Sequence, residues 1–342
     1  MRPAEPLSRL RNLGFQVATA PGLTFEQVRL ARDAFQVIGT RPSLGTLVSV
    51  AAISASAACC EAAIAAAFAE LDRLVPIFSR HEPDSALSTL NDAGRLAGPP
   101  PELVRVLERS LYFHGLSRGA FDVTVKPVLD LLDARFPARA PSAAELRDVA
   151  ALIGAGHLSV GRRAIRFSRP GMGVTLDGIA KGDIVDRMAD VLTCHGVRRF
   201  LINAGGDVRA AGHKEGHRPW TVGVRDPSSG GVLPGAIELR DGAVATSGGY
   251  ERFYDSERLF HHIINPASGH SANVAWSVSV WAPTSLAADA LATTVFVLGP
   301  EAGMRLLETL SDCAGLIVTE DGVQRPSRRW RWLSRNQEEG IA

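Results

Sequence analysis

The second half of the chain breaks into short apolar runs of strand length, and they do not alternate regularly with helices. Residues 199–203, 220–225, 236–239, 243–247, 261–264 and 276–282 each read as a strand, bounded by glycine, proline or small polar residues. Helical patterns fall between and before them. An alanine-rich helix starts near Ser54 or Ser56 and runs to about Val75, another opens at Pro83-Asp84-Ser85, and one spans 102–117 after Pro99, Pro100 and Pro101. Residues 119–133 read as a loop and then a helix, and 136–144 as a linker ending in a short helix. Residues 157–167 and 173–176 read as strands. A helix follows over 179–194, with Ile184, Val185, Met188, Val191 and Leu192 on one face. Residues 285–298 form a buried helix ended by Gly299-Pro300, with a further helix and a terminal strand pair beyond it. Strands mixed with helices but lacking βαβ spacing imply an α+β fold of mixed or antiparallel sheets packed with helices, not a doubly wound sheet.

Residues 47–71 are apolar enough to suggest a membrane span. Glu61 interrupts them, and they divide into a strand over 47–53 and the alanine-rich helix, so no membrane insertion is expected. Residues 1–35 read as a polar, loosely structured or helical arm. The division expected is an arm over 1–40 and one functional domain over 41–335, which two subdomains could build between them. With 37 basic against 36 acidic side chains, the chain lacks the basic surplus of a nucleic-acid binder. Cys59, Cys60, Cys194 and Cys313 have no metal-type spacing and read as small buried residues. No secretory leader is evident, which points to the cytoplasm; an exported, periplasmic location is the alternative if a leader precedes the chain as given.

Only three residues are lysine, so one inside a glycine-rich segment stands out. Asp177-Gly178-Ile179-Ala180-Lys181-Gly182 lies where a strand meets a helix. Small residues there admit an anion to backbone amides, with the helix N-terminus and Lys181 adding positive charge. The glycine spacing matches neither a Walker A loop nor a dinucleotide fingerprint, and a tight turn explains it equally well. Asn203-Ala204-Gly205-Gly206-Asp207 is either a ligand-approach loop or a hairpin turn. In Asp289-Ala290-Leu291-Ala292-Thr293, four-residue spacing puts a carboxylate and a hydroxyl on one helix face, suitable ligands for a hard cation such as Mg²⁺. The alternative is a threonine bonded back to its own helix. His261 and His262 would point to opposite faces of a strand, leaving one for any single site. Residues 246–250 and 119–124 are further small-residue loops.

Taken in order, these segments resemble the FAD:protein FMN transferases, the ApbE-like flavin transferase family. The resemblance rests on Leu44-Gly45-Thr46, residues 78–91 (Phe78-Ser79-Arg80-His81-Glu82-Pro83-Asp84-Ser85 through Leu90-Asn91), 119–127, 176–186, 203–207, 247–252, 262–269 and 289–293, covering roughly 44–300. It implies an ApbE-like, T-fold-like architecture and an enzyme that uses FAD and Mg²⁺. Such an enzyme moves FMN onto a Ser or Thr hydroxyl of a partner flavoprotein, often a redox subunit with a short flavinylation motif, and releases AMP. The resemblance places metal ligands at Asp289, Thr293 and the main-chain oxygen of Gly178, helped by the carbonyl of Ala292. It places FAD contacts at Leu44, His81, Ala120, Phe121, Asp122, Lys181 and Ile264, and the base at His262.

Two positions depart from the family pattern. His81 stands where an aromatic residue, often tyrosine, is common. Thr175 stands where many members have aspartate, six residues before the lysine, with Asp177 as the nearby acid that would take over the role. Hydrolysis of FAD to FMN and AMP, and flavin carriage without turnover, are the alternative functions.

Overall fold

The computed structural model describes residues 17–20, 22–224, 235–272, 277–319 and 321–332. Ten strands form one antiparallel sheet whose spatial order follows the chain: Val17–Ala20, Leu23–Ala31, Ala34–Ser43, Thr46–Ser54, Arg199–Ala204, Asp207–Ala211, Gly242–Gly248, Ser277–Ala282, Ala314–Val318 and Gln324–Pro326. Among the described residues the helices and the smaller sheets are inserted into the connections between neighbouring strands. Six helices separate the fourth strand from the fifth: α1 (Ala57–Phe78), α2 (Ala86–Ala93), α3 (Pro101–Leu116), α4 (Lys126–Arg135), α5 (Ala143–Ala150) and α6 (Ala180–Cys194). The seventh, α7 (Ser285–Thr309), joins the eighth strand to the ninth. This is the α+β arrangement expected.

Period-two alternation gives the central strands two buried faces. Val48, Val50 and Ala52 meet Ile64 and Phe68 of α1 in the main core. Ile53, Val208, Val244 and Leu316 meet Trp220, Ile237 and Leu239 on the other face, where the hairpin Trp220–Val224 with Gly235–Leu239 covers the sheet. The apolar stretch over 47–71 divides as expected: a central strand, then α1 capped by the Ser56 hydroxyl, which accepts from the Cys59 amide at 3.4 Å. Helix α7 is long and apolar enough to cross a bilayer by length and composition, yet 56% of its most apolar window is buried inside the fold.

Four sequence expectations about the fold are corrected. Cys60 and Cys313 are buried as expected, whereas Cys59 and Cys194 are exposed. The loose or helical arm over 1–35 is β-structure wherever it is described, with Leu23–Ala31 and Ala34–Ser43 paired in the main sheet; residues 1–16 lie outside the described ones. Leu23, Phe25 and Val37 alternate inward there, and the polar residues between them conceal the period. Residues 173–176 do not form a strand. The Asn91 amide brackets Val174 instead, accepting from its N–H at 2.7 Å and donating to its carbonyl at 3.0 Å, while the Thr175 N–H donates to Val123 O at 2.8 Å. Of 261–264, only Ile264 enters a strand, pairing with Ser271. The break in α7 falls where expected, at Gly299 with φ 77°.

Candidate active site

Helices α6 and α7 meet at a glycine. A methyl group at Gly182 would lie 2.5 Å from Ser285 O and 2.7 Å from Leu286 Cα, so only glycine lets the backbones approach this closely. Across that contact the Gly182 N–H donates to Asp289 Oδ2 at 3.0 Å. Asp186 of α6 accepts from the Ser285 and Leu286 amides, both at 2.9 Å, satisfying the N-terminus of α7. Gly182 therefore packs helices and is not part of an anion cradle; its amide is already committed.

Four residues earlier, in the turn that precedes α6, a methyl group at Gly178 would fall 2.8 Å from Thr293 Oγ1. Asp289 and Thr293 thus share a helix face, as their spacing predicts, and that face looks onto the Gly178 turn. The Ser247 hydroxyl lies 3.2 Å from Thr293 Oγ1. These groups line one cavity together with Ala120, Phe121, Thr175, Lys181, His262 and Ile264. One carboxylate, two hydroxyls and nearby main chain form an all-oxygen surface beside a lysine, suited to a hard cation and a phosphate. Among the described residues no three His, Cys, Asp or Glu side chains gather as a metal cluster.

Lys181 Nζ sits 3.4 Å from Asp207 Oδ2, which is buried. The 203–207 segment is a hairpin turn with Gly205 at φ 65° and Gly206 at φ 108°. It also serves the site, by bringing Asp207 to the lysine.

His262 is the histidine that lines the cavity. Burial, together with the neighbouring His261, pushes its pKa down to about 4, so the ring is neutral at pH 7. Among the described residues His262 Nδ1 has no hydrogen-bond partner. His261 is a buried scaffold residue whose Nδ1 accepts from the Ile263 amide at 3.1 Å.

A second cavity adjoins the first, sharing Asp177, Lys181 and His262 with it, and is lined by Leu44, His81, Arg80 and Arg252 among others. Leu44 occupies a left-handed turn position at φ 55°, unusual for a branched side chain. Arg80 Nε donates to Asp177 Oδ2 at 2.8 Å, and Arg80 Nη1 lies 3.5 Å from Oδ2 of Asp133, which Arg252 also holds.

A profile of the ApbE family matches residues 44–317. The chain belongs to the ApbE family. It is 34% identical over 310 residues to the FAD:protein FMN transferase of Treponema pallidum, covering 83% of this chain and 84% of that protein. It is 32% identical over 269 residues to the FAD:protein FMN transferase of Vibrio cholerae, covering 75% and 80%. Among solved structures, the ApbE protein of Thermotoga maritima superposes with a TM-score of 0.78 at 29% identity, over 86% of this chain and 97% of that one. The flavin transferase ApbE of Vibrio cholerae superposes with a TM-score of 0.74 at 28% identity, over 89% and 98%.

As an ApbE-family transferase, the chain gathers nearly all the residues that its sequence singled out. Ala120, Phe121, Asp122, Thr175, Asp177, Gly178, Lys181, His262, Ile264, Asp289 and Thr293 line the first cavity, and Leu44 and His81 the second. Ala292 lines neither and is buried in the core. The Asp122 carboxylate is occupied by the fold. Oδ1 accepts from the Thr124 amide at 2.8 Å and from its hydroxyl, and Oδ2 accepts from the Ala155 amide at 3.1 Å. Sequence reading missed Ser247 as a partner of Thr293, Asp207 as the counter-charge of Lys181, and Arg80 as the partner of Asp177. Each lies in a quoted segment, but nothing local marks its partner, which is 46, 26 or 97 residues away.

Proposed function

We propose that this ApbE-family transferase moves the FMN half of FAD onto a Ser or Thr hydroxyl of a partner protein, releasing AMP, with Mg²⁺ as cofactor. The observation that carries the reading is the approach of Asp289 and Thr293 to the Gly178 turn, inside a cavity that also holds Lys181 and His262. Asp289, Thr293 and the main chain of Gly178 would hold the cation, and their hard oxygen donors fit Mg²⁺, which usually keeps several waters or phosphate oxygens as further ligands. When bound, Mg²⁺ would draw charge from the diphosphate oxygens.

The remaining chemistry belongs to the chain. Lys181, oriented by Asp207, faces the diphosphate with a positive charge. The acceptor hydroxyl oxygen attacks the FMN phosphorus, its O–P bond forms, and the bond to the AMP phosphate breaks. Neutral His262 takes the hydroxyl proton and later yields it to solvent. The acceptor class proposed is a redox subunit presenting the hydroxyl in a short exposed motif.

The test is incubation of the full chain with FAD, Mg²⁺ and such a subunit, read by intact mass. A gain of one FMN on the subunit, with AMP released, is the expected result. Free FMN and AMP without modification would assign hydrolysis instead, and unchanged FAD would assign carriage.

A further inference from the structure

Asp177 presents a problem for an anion site. It immediately precedes Gly178 and lines both cavities beside Lys181, so its carboxylate lies where a diphosphate is to bind. Its side chain is 42% exposed, whereas that of Arg80, its partner at 2.8 Å, is 6% exposed. Arg80 reaches it from the loop after α1 and touches Asp133 of α4 at 3.5 Å. Arg252, from the segment after the strand Gly242–Gly248, holds the other oxygen of Asp133 at 2.5 Å and lies over the Tyr254 ring. The charges alternate along this wall: Asp177, Arg80, Asp133, Arg252. A buried guanidinium with two carboxylate partners is held in place more firmly than an exposed one.

We infer that Arg80 is a positioning residue of the FAD site, which by pairing with Asp177 withdraws that carboxylate from the incoming diphosphate and fixes the turn presenting Gly178 and Lys181. The inference rests on the flavin reading above and deepens it. Asp177 accordingly does not replace the carboxylate that Thr175 lacks, because its charge is already neutralised by Arg80. An unpaired carboxylate in the same place would repel the diphosphate through a partly desolvated gap, where an unscreened charge is felt more strongly than in bulk water.

Four full-length proteins test this in the presence of Mg²⁺: the unmodified chain, Arg80→Met, Asp177→Asn and the double variant. FAD affinity is read from quenching of flavin fluorescence, and KM and kcat from FMN release or transfer. Arg80→Met is expected to weaken FAD binding by about tenfold, chiefly through KM. Asp177→Asn, which leaves the guanidinium facing the phosphates, is expected to tighten it by about threefold. The double variant should recover most of what Arg80→Met loses, because the charge that needed neutralising is gone. A double variant as weak as Arg80→Met alone, or Asp177→Asn that weakens binding, would overturn the inference while leaving the flavin reading intact. Thermal unfolding of all four separates loss of fold from loss of binding. An unmodified chain that does not bind FAD would overturn the flavin reading and this inference with it.

Discussion

The Gly182 N–H donates to Asp289 Oδ2 at 3.0 Å, so the carboxylate proposed to hold a cation is tied directly to the helix that carries Lys181. That bond requires the backbones of α6 and α7 to touch. In Gly182→Ala the new methyl would meet Ser285 O at 2.5 Å and Leu286 Cα at 2.7 Å, both main-chain atoms that cannot swing aside. Destabilisation of about 3 kcal/mol is expected from forcing two packed helices apart. Urea unfolding checks it, and a loss below about 0.5 kcal/mol would show that the contact is soft.

Gly178→Ala should behave differently. Its obstacle is the side chain of Thr293, with Oγ1 at 2.8 Å and Cγ2 at 3.2 Å, and a hydroxyl can rotate or retreat. The fold is expected to lose only about 1 kcal/mol, while flavin transfer falls roughly a hundredfold because a proposed ligand is displaced. Parallel unfolding and single-turnover assays would expose the contrast. Equal losses of stability at Gly178 and Gly182 would contradict it.

The contrast between these two glycines also marks how far sequence reading reached. Both stood in one Gly-rich segment, and local pattern could not tell that Gly178 faces the cavity while Gly182 faces a neighbouring helix. The four-residue spacing of Asp289 and Thr293 was legible because a helix enforces its own period. The strands 23–31 and 34–43 were not, because one polar face and the charges around Arg29 and Arg32 masked an alternation that only pairing reveals. Residues 173–176 looked like a strand because they are extended and apolar; their backbone partners are Asn91 and Val123, which no short-range rule supplies. Ion pairs such as Arg80 with Asp177 were invisible for the same reason.

Asp186 links the two site helices from the other end. Its oxygens accept from the Ser285 and Leu286 amides at 2.9 Å, although burial raises its pKa. In Asp186→Ala two amides at the start of α7 lose their acceptor, a cost of about 2 kcal/mol, and Asp289 and Thr293 ride on that helix. Mg²⁺ affinity, measured by calorimetry, is expected to fall along with stability. Asp186→Asn, which keeps one acceptor oxygen, should lose less of both, and identical losses in the two variants would rule out capping as the cause.

As the proposed base, His262 would give the site its pH dependence, and the sign follows from burial. Its pKa in the folded chain is about 4, below the 6.5 of an exposed imidazole. Above pH 6.5 the ring is neutral in both folded and unfolded chains and contributes no slope. Between 6.5 and about 4 the unfolded chain binds a proton that the folded chain refuses, so stability falls as pH falls through that window, by about 3 kcal/mol in all. His262→Gln has no such proton to refuse. The stability difference between the two proteins should therefore shift by about that amount, in favour of the variant, from pH 7 to pH 4. At pH 7 the same substitution should cost about 10² to 10⁴ in turnover, since the proposed base is lost. For the unmodified chain, kcat/KM should hold well below pH 6.5 before its acid limb. A difference in stability that stays flat from pH 7 to 4, or an acid limb centred at 6.5, would mean that the ring titrates as an exposed histidine.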